Sequence, residues 1–299
     1  MGTVVQITVS HTSESEARLA INEAMSELQR SDDLMSHYKP ESLVSKVNRY
    51  GASGKVQVGE GFFELLREAV SISRASNGAF DATILPISDL WGFDKGGIVP
   101  RNELIANKLA FVGYEGIDLD QSTFSVGLIS SGMSLDLGAI AKGWAVDRAM
   151  EKIMSHGIRN AIIDAGGDLR LIGGRPGKGF WRIGVQHPRE PGGLLATFDL
   201  RDTAIVTSGD YERFFIADGV RYHHILDPAT GQPARGCQSV TVLAATAAEA
   251  DACATAAFVL GPEKGLAFLR SRPGVRGFIV GADGTLHWSD EVIEGMARR

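Results

Sequence analysis

"NAIIDAGGDLRLIGGRPGKGFWRIGVQ", residues 160–186, decides the fold class. Its apolar runs are short, and glycines and a proline punctuate them, as in antiparallel strands joined by tight turns. The same texture continues through "LLATFDL" (194–200), "TAIVTSG" (203–209), "RYHHILD" (221–227) and "QSVTVLAAT" (238–246). Upstream, "MGTVVQITVS" nearly alternates apolar and polar residues and reads as a strand. A helical pattern runs from about Glu14 to Leu34, with Ala17, Ala20, Ile21, Ala24, Met25 and Leu28 on one face. Pro40 breaks it, since proline disfavours helix in the residue before it. A second helix fits "FFELLREAVSISRAS" (62–76) and ends at Asn77-Gly78. "GAFDATILPI" (78–87) reads as irregular or extended, and 91–131 as loop-rich. A third helix is predicted from about Gly138 to His156. A last one covers "AAEADACATAAFVL" (247–260), followed by a short helix and a hairpin, "GFIVGADGTLHW" (277–288). Helices preceding a strand-rich half predict α+β with antiparallel sheet rather than a doubly wound parallel fold.

The chain has 299 residues, 44% apolar and 22% charged, with a net charge of −6. That is an ordinary globular composition, and no basic stripe invites a nucleic acid. No window reads as a membrane span, and the N-terminus has neither the basic nor the apolar region of a signal peptide. The expected compartment is cytoplasmic, or periplasmic or inner-membrane-associated if a leader has been removed. The two cysteines, Cys237 and Cys253, lack zinc spacing and read as small buried thiols rather than a disulfide.

"GGRPGKG" at Gly173 has the look of a phosphate loop but fails as one. Gly179 follows Lys178 where a hydroxyl residue must meet magnesium, and the glycine spacing is one residue short. It is predicted to be a turn. "LDLGAIAKGWAVD" (135–147) is more telling. Asp136, Ala139 and Lys142 recur every three residues at a helix opening, where backbone N–H groups and the dipole favour an anion. An N-cap aspartate with a solvated lysine is the plain alternative. In "EADACATAAF", Asp251 and Thr255 stand i, i+4, an oxygen set suited to a hard cation such as magnesium, or else Asp251 caps its helix. Ser208 is not in a nucleophile elbow, "DPATG" is a good turn, and His223 and His224 point to opposite faces of a strand.

Taken together, "MGT", "MSHYKPESLVSKVN", "GAFDATILPI", "LDLGAIAKGWAVD", "IIDAGGDLRLIG", "TSGDYERFF", "HILDPATGQP" and "DACATA" resemble, in order, the ApbE-like FAD:protein FMN transferases. The resemblance spans almost the whole chain. It implies a single two-lobed α+β unit over 1–299, T-fold-related, with antiparallel sheets, flanking helices and the flavin between lobes. It implies a magnesium-dependent enzyme that splits FAD, releases AMP and esterifies FMN to a threonine or serine of a target flavoprotein. Subunits of sodium-pumping quinone reductase or Rnf-type complexes are the kind of target implied. By the same resemblance, Met1 and Tyr38 line the flavin pocket, and Ala79, Phe80 and Asp81 contact FAD. Asp136 holds the adenosine or isoalloxazine part, Lys142 the phosphates, and Ile225 touches the flavin. Ala139 supplies a backbone carbonyl to the metal, Asp251 and Thr255 side-chain oxygens, and His224 is the expected general base. The same site could instead hydrolyse FAD to FMN and AMP, or bind it without turnover.

Overall fold

The chain opens with β1 (Val5–Ser10), α1 (Glu14–Met35), α2 (Leu43–Tyr50), β2 (Val56–Gln57) and α3 (Glu60–Ala75). Next come α4 (Leu85–Trp91), α5 (Asn102–Leu109), β3 (Ile117–Asp120), β4 (Ser125–Leu128) and α6 (Ala141–Ser155). The strand-rich part holds β5 (Asn160–Ala165), β6 (Asp168–Ile172), β7 (Trp181–Gln186), β8 (Leu194–Leu200) and β9 (Thr203–Gly209). It continues with β10 (Phe214–Ala217), β11 (Val220–His223), β12 (Cys237–Ala244), α7 (Ala247–Arg270), β13 (Arg276–Gly281), β14 (Leu286–Trp288) and β15 (Met296–Ala297). The computed structural model describes residues 2–289 and the strand 296–297, so Met1 lies outside the described residues.

A seven-stranded sheet in the order β1-β5-β6-β9-β12-β13-β14 forms the frame. Each neighbouring pair is antiparallel, which bears out the α+β expectation. Alternation along these strands sends one set of side chains to each face. On one face Leu171, Ile205, Leu243 and Phe278 pack against Trp181, Ile183, Val185 and Phe198 of the β7–β8 hairpin. On the other, Ala204, Val206, Val240 and Val242 pack under α6 and α7. Helix α1 lies outermost. Ser13 caps it by accepting the Glu16 N–H at 3.3 Å, and Ala20, Ala24, Leu28 and Met35 bury one face toward α6.

Helix α7 is apolar and long enough to cross a membrane, contrary to the expectation that no such window exists. Over half of that window is buried, and its alanines sit against strands β9 and β12. It is a core helix. Gly261, at φ 77°, followed by Pro262, kinks it into the long and short helices expected from the sequence. The segments expected to be irregular hold α4, α5 and the β3–β4 pair. Pro86 sits in the first turn of α4, where its missing N–H costs nothing. The turn at Gly173–Gly179 and the Asp227 turn are as expected; Gly231 N–H donates to Asp227 O at 2.7 Å. Cys237 and Cys253 are both free and buried, and burial pushes each thiol up to about 12.

Candidate active site

The site begins where α6 and α7 cross at their N-terminal ends. Gly143 makes this crossing possible, because a Cβ there would lie 2.2 Å from the Ala247 carbonyl oxygen. With the backbones in contact, the Gly143 N–H donates to Asp251 Oδ2 at 3.2 Å. Asp251 is therefore not the cap of α7. Thr246 is, accepting the Glu249 N–H at 3.2 Å. Asp251 instead turns inward toward Lys142, the second residue of α6. The ammonium of Lys142 pairs with the fully buried carboxylate of Asp168, at the start of β6.

These three charges share one buried volume. Burial raises the Asp168 carboxyl far above its usual range, and the like charge of Asp251 raises it further, while Lys142 offsets part of this. Asp251 is raised by the same burial, against Lys142 and the Gly143 N–H. Burial alone would lower Lys142, but the two carboxylates outweigh it and hold the ammonium charged. Among the described residues no donor meets the buried Asp168 Oδ2, and the carboxyls of Asp168 and Asp251 interact directly. One turn beyond Asp251, Thr255 Oγ1 lies 3.4 Å from Ser208 Oγ on β9.

Asp136 does not lie on the helix with Lys142. Helix α6 begins only at Ala141, and Ala139 sits in the turn before it, where the Ile140 N–H donates to Leu137 O at 3.0 Å. The Asp136 carboxylate accepts the Gly138 N–H at 2.8 Å and so closes a local turn instead of starting a helix. Its Oδ1 is 3.6 Å from His37 Nδ1. Burial pushes the Asp136 carboxyl up, but hydrogen bonding and charge from His37, with the Gly138 N–H and Arg213, pull it below the usual range. Tyr38 is 61% exposed, its ring centroid 3.9 Å from that of His37, free to cover a planar ligand.

The two adjacent histidines separate as the strand geometry requires. His223 is buried edge-on against Phe258 and its Nε2 lies 2.7 Å from Ala234 O. His224, just past β11, turns the other way and places Nδ1 3.3 Å from Arg213 O. Its surface is only part-buried, yet crowding by protein, then the charge of Arg213, lower it to about 4. The segment 210–213 links the two groups: the Glu212 charge acts on Lys142, and that of Arg213 on Asp136 and His224.

Lys142 and Asp251 thus stand together, with Thr255 one turn away. Phe80 and Ile225 are sequestered in the main core cluster, and Ala79 is also buried. Asp81 accepts from Thr83 N–H at 2.8 Å, Thr83 Oγ1–H at 2.6 Å and Tyr114 N–H at 2.8 Å. The side chains of Phe80, Asp81 and Ile225 are therefore engaged internally. The Ala82 carbonyl accepts the Asp136 N–H at 2.8 Å, so this stretch buttresses the site from behind. Sequence reading missed Asp168, His37 and Arg213. Asp168 had a signal, a carboxylate opening an apolar strand after Gly166-Gly167.

Among the described residues no group of three His, Cys, Asp or Glu is placed to hold a metal ion. The two carboxylates, with the Thr255 hydroxyl one helical turn beyond Asp251, are the oxygen donors here that could hold a hard divalent cation.

The ApbE family profile matches residues 1–279. The chain belongs to the ApbE family. It is 34% identical to the FAD:protein FMN transferase of Treponema pallidum (strain Nichols), over 98% of this chain and 86% of that one. It is 36% identical to one from Klebsiella pneumoniae (strain 342), over 85% and 79%. Among solved structures it is similar to the ApbE protein of Thermotoga maritima, with TM-score 0.90 and 38% identity over 97% and 94% of the two chains. The flavin transferase ApbE of Vibrio cholerae gives 0.86 and 31% over 97% and 94%. An ApbE chain with relatives so named is an enzyme of the transferase class.

Proposed function

We propose that this ApbE chain transfers FMN from FAD to a serine or threonine hydroxyl of a partner protein and releases AMP, with a divalent cation such as magnesium. The observation that carries this reading is the cluster of part-buried Lys142 with buried Asp168 and Asp251, in which no donor among the described residues meets Asp168 Oδ2. A diphosphate bridge needs positive charge on its non-bridging oxygens as the new bond forms, and the ammonium of Lys142 supplies it. Asp168, Asp251, Thr255 and the Ala139 carbonyl would hold the cation, which adds Lewis-acid polarisation of the same oxygens. The isoalloxazine would lie by Tyr38, with Asp136 and His37 holding its polar edge.

His224 is the proton acceptor. Its Nδ1–H donates to Arg213 O, so Nε2 keeps a lone pair. A value near 4 keeps the ring neutral at working pH, and an anionic ligand beside it would raise its basicity. The acceptor hydroxyl gives its proton to Nε2 as its oxygen bonds to the FMN phosphorus. The bridging P–O bond breaks, and AMP leaves with the bridging oxygen.

Incubation with FAD, magnesium and a carrier bearing a Ser/Thr acceptor segment should yield a covalently fluorescent carrier band. Free FMN with unlabelled carrier would assign the site to hydrolysis instead. A stable yellow complex without AMP would assign it to binding alone.

A further inference from the structure

The helix pair that frames the site is fastened twice, in opposite senses. Helix α6 gives the Gly143 N–H to Asp251 on α7. Four residues on, α6 also carries Asp147, whose two carboxylate oxygens accept the Ala247 and Ala248 N–H groups at the start of α7, each at 2.9 Å. Gly143 and Asp147 stand i, i+4, so both face α7. Asp147 is therefore a second, external cap on α7, bidentate and supplied by the neighbouring helix. Strand β6 repeats the pattern at one remove. Asp168 pairs with Lys142, and Arg170, two residues along the same face, places Nε 3.4 Å from Asp147 Oδ1. Burial raises the Asp147 carboxyl to about 6, against the two N–H groups and Arg170, so holding it charged costs stability. Neighbouring Thr246 already caps α7.

We infer that Asp147 is a positioning residue: its bidentate grip on the first two amides of α7 sets the register of α7 against α6, and so places Asp251 and Thr255 beside Lys142 and Asp168 to receive the divalent cation. The inference rests on the metal reading above. The Asp147 carboxylate is taken up by the Ala247 and Ala248 amides and Arg170, and is not one of the groups assigned to FAD or the cation. It acts as the hydrogen-bonded partners behind ligating side chains do, whose loss weakens metal affinity about 10- to 100-fold.

The test uses the whole protein and Mn²⁺ as probe, with binding read from loss of the free-ion EPR signal and FAD binding from flavin fluorescence. Three variants are compared with wild type: Asp147→Ala, Asp147→Asn and Thr246→Ala. Asp147→Asn keeps one acceptor oxygen and is the variant expected to fold without difficulty. Thr246→Ala removes a cap from the same helix end but leaves the tie to α6 intact. Half-saturating Mn²⁺ should rise about tenfold or more in Asp147→Ala and by less in Asp147→Asn. It should stay within twofold in Thr246→Ala, although that variant melts at a lower temperature. Mn²⁺ binding unchanged in a folded Asp147→Asn or Asp147→Ala, or weakened equally by Thr246→Ala, would overturn the inference and leave Asp147 a cap only. Absence of Mn²⁺ binding by the wild type would overturn the metal reading together with it.

Discussion

Two buried aspartates, Asp81 and Asp168, show how one residue type serves two ends. Asp81 is 7% exposed and Asp168 is 0% exposed, and burial raises the proton affinity of both. Around Asp81 the chain spends three donors on two oxygens, from Thr83 and Tyr114, and the carboxylate closes a loop. Around Asp168 it supplies one ammonium and a second carboxylate, and no donor among the described residues meets Oδ2. The first arrangement is complete without a ligand. The second is a demand for positive charge, which a diphosphate-binding site with a cation would meet.

The strongest way to break this contrast is Asp251→Ala. Removing the carboxylate beside Asp168 should lower carrier labelling at least about a hundredfold, the scale of losing one preorganised electrostatic group. A fully active variant would remove Asp251 from the metal assignment. At the complete site, Asp81→Ala strands three donors and should cost about 3 kcal/mol in urea unfolding. A loss under about 0.5 kcal/mol would show that Asp81 is not structural.

Asp168→Asn sharpens the comparison. It removes one of two crowded like charges, so the melting temperature should hold or rise while labelling falls about tenfold or more. A variant both less stable and fully active would reverse the reading.

A smaller effect comes from His224. Its folded value near 4 lies below the unfolded value of about 6.5, so the unfolded chain binds more protons between the two. This residue makes stability rise with pH across that window. Its contribution is fully lost below about pH 4. Urea unfolding of wild type and His224→Gln at pH 4.5 and 7 should show a shallower pH dependence in the variant. Parallel curves would place the imidazole in solvent. The smallest effect is at Cys237 and Cys253, whose buried thiols near 12 should stay unreactive to a thiol reagent until the chain unfolds.

Much of the frame was legible. The Gly- and Pro-punctuated runs after residue 160 marked antiparallel strands, and the helix ending at Leu260 with a short helix after it matches the break in α7 at Gly261-Pro262. Local rules sufficed there, because turn residues and periodicity act within a few positions. Helix α4 and the start of α6 were not legible. Asp136 looks like an N-cap by type, but its side chain closes an earlier turn at Gly138.

The sequence by itself determined which oxygens and nitrogens could serve: an i, i+4 pair at 251 and 255, a lysine at 142 and a histidine at 224. Only the tertiary structure decided that Asp168, 83 residues before Asp251, shares its buried volume, and that Phe80 and Ile225 are core. The physical reason is range. Helix and strand periods fix the face a side chain takes along its own element. Which faces meet depends on long-range contacts such as the approach of Gly143 to Ala247, which no local pattern encodes.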